Sequence, residues 1–153
     1  MYPLGEQFLV DYRRAKSDSK ACIVGKKYRF SVITERVIRI EYSPNGTFVD
    51  LPSQLVQNRN IGLPAFTLRQ DQTFLEITTK YFSLSYIKEK PFEGTNINPT
   101  KNLKITLLSN VDKDRQRDWY YKHPEVRNMN GNISDFDIPL NDRFKRGLYS
   151  LEG

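Results

Sequence analysis

The chain has 153 residues, of which 38% are hydrophobic and 27% charged. That suits one globular domain and speaks against disorder, and no apolar run approaches the roughly 20 residues of a membrane-spanning helix. Twenty-four Lys and Arg against 18 Asp and Glu give a net charge of +6, but the pairs Arg13-Arg14, Lys26-Lys27 and Arg115-Gln116-Arg117 are short, scattered and interleaved with acids, which is no nucleic-acid footprint.

The elements expected from the sequence are strands. Gln7–Arg13 opens the series, and Ala21-Cys22-Ile23-Val24 is an apolar strand in which Cys22 reads as a small core residue. Tyr28–Val32 alternates apolar and polar residues with period two, Thr34–Arg36 turns, and Val37–Tyr42 puts Ile38, Ile40 and Tyr42 on one face and Arg39 and Glu41 on the other. The pair is expected to be a hairpin with one wet face, closed by Ser43-Pro44-Asn45-Gly46. Phe66–Leu68, Thr73–Thr79, Tyr81–Tyr86 and Asn102–Leu107 follow, with Phe82, Leu84 and Tyr86 on one face and Leu103, Ile105 and Leu107 on one face. No window holds a 3.6-residue period, so the expected fold is all-β, an antiparallel β-sandwich over residues 1–153. Residues 110–153 are polar and irregular apart from Asp118-Trp119-Tyr120-Tyr121, a length that points to functional loop or to a missing partner surface. Alternation there is expected to bury Trp119 and Tyr121 and to leave Tyr120 at an edge.

Little in the chain can carry catalysis. The single histidine, His123, stands in a polar segment, and the single cysteine, Cys22, has no base beside it, so no Ser-His-Asp or Cys-His site is expected. Clustered zinc ligands and phosphate loops are absent from the sequence, and no cofactor or metal is expected. Asp112-Lys113-Asp114 begins like a calcium loop, but Arg117 stands where glycine is required. Asp135 and Asp137 are too close in sequence to straddle a glycosidic bond. The lone cysteine and a start, Met1–Glu6, without a basic and then apolar stretch point to the cytoplasm. The sequons Asn45-Gly46-Thr47 and Asn132-Ile133-Ser134 read as turn chemistry.

Three motifs in series carry a resemblance. Arg36-Val37-Ile38-Arg39-Ile40-Glu41-Tyr42 and then Phe48-Val49-Asp50-Leu51-Pro52-Ser53-Gln54 resemble the opening of the N-terminal domain of glycoside hydrolase family 31, approximately R-L-I-R-L-E-Y and F-E-D-R-P-S-Q. Trp119 followed by Asn128–Asp137 resembles that family's W and N-L-G-G-T-x-R-T-L-D, and Gly147–Gly153 resembles G-L-L-S-R-D-G. The resemblance implies a galactose-mutarotase-like β-sandwich, packed on a (β/α)8 barrel that holds both catalytic aspartates of a retaining α-glycosidase. The chain would then be a non-catalytic piece of an enzyme hydrolysing α-glucosides, inactive alone. The loop with Asn128, Gly131 and Asp137 would lie at the rim of the sugar site. The pattern departs from the family at Asn130, Asn132, Ser134 and Asp135, which removes an arginine and two threonines.

Two further readings stand beside this one. A stand-alone carbohydrate-binding sandwich would present exposed aromatic residues, with Trp119 and Tyr120 as the candidates for stacking on sugar. A purely structural domain would show an uncovered apolar surface that a barrel or a second copy of the chain would cover.

Overall fold

The structure, a computed structural model, describes residues 5, 12–53, 56–93, 102–108 and 118–121. Among them eight strands form two antiparallel sheets, with no helix beyond single 3-10 turns at Tyr12–Arg14 and Ser19–Ala21. β1 (Cys22–Val24), β2 (Tyr28–Thr34) and β3 (Val37–Tyr42) form the first sheet in the order β1-β2-β3. β4 (Thr67–Gln70), β5 (Phe74–Thr78), β6 (Phe82–Ile87), β7 (Leu103–Leu107) and β8 (Asp118–Tyr120) form the second in chain order. The fold is all-β and sandwich-like. Of the expected opening strand, Gln7–Asp11 lie outside the described residues. Tyr12 and Arg13 belong instead to a turn closed by the Ala15 amide donating to the Tyr12 carbonyl at 3.2 Å.

Register follows the apolar period. Ile23 pairs with Phe30 and Phe30 with Ile40, while Tyr28 faces Tyr42 and Val32 faces Ile38. In the second sheet Leu75 pairs with Tyr86 and Tyr86 with Leu103, and Ile77 pairs with Leu84 and Leu84 with Ile105. These inner-face side chains meet in one core in which Phe30, Leu75, Ile77 and Leu84 are wholly buried. Phe30 and Tyr86 cross the sheets edge to face at 5.1 Å, a preferred ring geometry.

Polar contacts pin both ends of the sandwich. At one end the Glu89 carboxylate accepts from the Lys26 and Lys27 amides at 2.9 and 2.8 Å. At the other the Thr79 hydroxyl donates to the Glu35 carbonyl at 2.8 Å, and the Arg36 guanidinium lies 3.9 Å over the Tyr81 ring. Gly46, at φ +69°, closes the turn after β3, and a Cβ there would stand 2.5 Å from the Lys26 carbonyl oxygen, so a side chain does not fit.

The hairpin of β2 and β3 does not have the expected wet face. Arg29 and Ser31, on the outer side of β2, are buried at 8% and 2% exposure. The connection after β3 folds back over Arg29. Arg29 donates to both oxygens of Glu41, at 2.6 and 3.1 Å, and pairs with Asp50 at 2.8 Å. Its guanidinium also lies 5.0 Å over the Phe48 ring. Arg39 joins through Glu41 at 2.7 Å and the Val49 carbonyl at 2.8 Å. Arg59, itself buried, ties this layer to the first 3-10 turn by donating to the carbonyls of Ala15 and Leu51. Cys22 is half-buried rather than a core residue, because the inner position of β1 belongs to Ile23 and Cys22 faces Ser31, with Sγ and Oγ 3.5 Å apart.

Candidate functional site: an aromatic groove at the sheet edge

Among the described residues the first sheet has three strands and the second five, so the edges of the second reach past the first. The outermost inner-face side chains of the second sheet, Leu68 on β4 and Trp119 on β8, stay 38% and 36% exposed although Leu68 pairs with the buried Ile77 and Trp119 with Ile105, which packs against the core. On the β8 side the overhang makes a groove of about 790 Å³ between β3 and β8. Its walls are Tyr42 and Phe48 on one side and Trp119 and Tyr121 on the other, with Phe92 and Glu93 also lining it.

Each wall is held from behind. Phe92 is set by Asn102, a buried side chain whose amide donates to the Pro91 carbonyl and whose oxygen accepts from the Glu93 amide at 2.6 Å. The Phe92 ring then packs on Phe30, Tyr42, Tyr86 and Tyr121 with centroids 5.6 to 6.1 Å apart, which joins the groove to the core. Burial pushes the Tyr86 phenol well above its ordinary value, and its hydroxyl donates to the Lys90 carbonyl. β8 is fastened to β7 by Asp118, which accepts from the Thr106 hydroxyl at 2.7 Å and pairs with Lys104 at 3.0 Å. Partial burial acts to raise this carboxyl, but Thr106 and Lys104 outweigh it and hold it below the usual carboxylate range.

The groove's charge is one-sided. Among the described residues lining it there is no Lys, Arg or His, while Glu41 and Glu93 both contribute. Glu41 is committed, with both oxygens engaged by Arg29 and Arg39. The hydrogen bond from Arg29 to Glu41 is the main reason that guanidinium's proton is held more tightly than usual, whereas desolvation dominates at Arg39 and loosens its own. Glu93 is exposed and makes no salt bridge among the described residues.

Trp119 stands on the inner face, as alternation expects, but the expected burial of the Trp-Tyr-Tyr stretch is reversed. Tyr120 is 7% exposed, so it is no platform for sugar, while Trp119 and Tyr121, expected inside, are each 36% exposed at the groove. The sequence pattern puts Tyr42 on a strand face and Phe48 in a motif but gives neither a site role, and Phe92 and Glu93 lie beyond any strand. His123, Asn128, Gly131, Asp137 and the acidic pairs at 112–114 and 135–137 lie outside the described residues. Among the described residues no group of three or more His, Cys, Asp or Glu could hold a metal ion, and no helix is long and apolar enough to cross a membrane. No protein-family model matches the chain, and no curated protein matches it.

Proposed function

We propose that the chain is the non-catalytic sandwich domain, of galactose-mutarotase-like type, of a retaining α-glycosidase acting on α-glucosides in the cytoplasm. The observation that carries this reading is one ion-pair cluster in which Glu41 and Asp50, from the two parts of the first motif, pair with both the buried Arg29 and the motif's own Arg39. A motif of that composition then has a bracing role, and it offers no nucleophile. Val49, Leu51, Ile61 and Leu63, between β3 and β4, are 53 to 60% exposed, which suits a surface covered by a further domain. In this reading a (β/α)8 barrel of the same polypeptide supplies the aspartate nucleophile and the acid/base of a double displacement. The loop with Asn128, Gly131 and Asp137 borders the sugar. The test is hydrolysis of 4-nitrophenyl α-glucoside by the full-length gene product and by this chain alone, with the product anomer followed by NMR. The expected result is α-glucose first from the full-length protein and no turnover from the chain. Turnover by the chain alone, or β-glucose first, overturns the reading.

The exposure of Trp119 and Tyr121 favours a second role, carbohydrate binding by the sandwich itself.

A further inference from the structure

We infer that the groove between β3 and β8 is a binding site for an uncharged oligosaccharide, whose pyranose rings stack on Trp119 and Tyr121 and whose hydroxyls donate to Glu93. The inference deepens the carbohydrate-binding role and does not depend on the glycosidase reading.

Shape, ring chemistry and charge each bear on it. The volume, about 790 Å³, falls in the range of sites that take small ligands. The C–H faces of a pyranose are apolar while its edge carries hydroxyls, so it needs flat aromatic faces flanked by hydrogen-bonding oxygens. Trp119 and Tyr121 are each partly exposed where they line the groove, and Glu93 and the hydroxyls of Thr47 and Ser43 supply polar atoms in the same groove. Trp and Tyr give such contact area at a low cost in side-chain entropy. Anionic ligands are disfavoured because the exposed Glu93 carboxylate stands in the groove and no cation among the described residues lines it. The walls are set in advance by Asn102 behind Phe92 and by Asp118 between β7 and β8, so little ordering is left for the ligand to induce.

The chain's single tryptophan is Trp119, so its fluorescence reports on the groove directly. The full chain is titrated with maltotriose, with trigalacturonic acid and with a cationic proline-rich peptide. The expected result is a saturable emission change with maltotriose and none with the other two. Tyr121→Ala, checked for folding by circular dichroism, is expected to weaken maltotriose binding by about tenfold, the scale of one lost aromatic contact. Glu93→Gln keeps an acceptor oxygen but loses the charge that strengthens hydrogen bonds from the sugar hydroxyls, and is expected to weaken maltotriose binding by about tenfold, whereas Glu76→Gln, on the outer face of the second sheet, is expected to leave it unchanged. Saturation by trigalacturonic acid alone overturns the uncharged class and leaves sugar binding standing. Saturation by the peptide alone, or no response to any of the three, overturns the site and the carbohydrate-binding role together. A Glu93→Gln variant that binds maltotriose as tightly as the unaltered chain contradicts the role of Glu93, and a Glu76→Gln variant that loses binding contradicts the placement of the site.

Discussion

The outer faces of the two sheets carry similar alternating sequences and end in different environments. β2 reads Tyr-Arg-Phe-Ser-Val and β6 reads Phe-Ser-Leu-Ser-Tyr. On β2 the outward Arg29 is buried beneath the connection that follows β3 and Ser31 is buried against Cys22, whereas on β6 the outward Ser83 and Ser85 keep partial contact with water. Period two therefore encodes which side chains share a face. Whether a face is wet depends on what else folds over it, and here ion pairs close one face and leave the other open.

The sharpest way to break this comparison is through what the sheets share. Phe30→Ala removes a wholly buried ring that touches both sheets and is expected to cost about 3–5 kcal/mol in urea unfolding, in one transition seen alike by circular dichroism and tryptophan fluorescence. Two separated transitions would mean the sheets do not share a core. Next comes the covered face. Glu41→Gln leaves the Arg29 guanidinium buried with Asp50 as its remaining carboxylate and is expected to cost about 2–3 kcal/mol, below the loss of a wholly unpaired buried charge. On the open face Glu76→Gln is expected to cost less than about 0.5 kcal/mol, because its partner Arg69 is 84% exposed and 3.7 Å away. Equal losses at Glu41 and Glu76 would erase the distinction between the faces.

Much of the strand plan was legible. β2, β3, β5, β6 and β7 stand within a residue or two of where alternation puts them, because half-buried strands must alternate. The site was less legible, for physical reasons. The opening of Trp119 follows from the place of β8 at the edge of the second sheet, and no local pattern records which strand stands at an edge. Phe92 enters the groove through Asn102, a contact made across a connection. Arg29 reads as a solvated strand residue until Glu41 and Asp50 are brought to it.

Smaller effects sharpen the turns that join the strands. Asp71 accepts from the Thr73 and Phe74 amides, each at 2.7 Å, and these hold its carboxyl below the usual carboxylate range. A lowered folded value means that its contribution is present above the unfolded pKa, about 3.9, and is lost as pH falls through the lowered value. Asp71→Ala is expected to flatten that part of the pH dependence of the melting midpoint, and an unchanged profile would contradict it. Smallest is the exposed pair at the sandwich end. The hydrogen bond and charge of Arg36 lower the Tyr81 phenol, so Arg36→Ala is expected to return its ultraviolet titration toward the ordinary tyrosine value.

With one outer face closed by ion pairs and the other polar, the β3–β8 edge is where aromatic side chains meet solvent in a concave site. The most direct measurement is a nitrogen–proton correlation spectrum of the chain titrated with maltotriose. The account predicts shifts confined to the backbone around Tyr42 to Phe48, Phe92 to Glu93 and Trp119 to Tyr121. Shifts centred on the open face around Ser83 to Ile87, or no shifts at all, would contradict it.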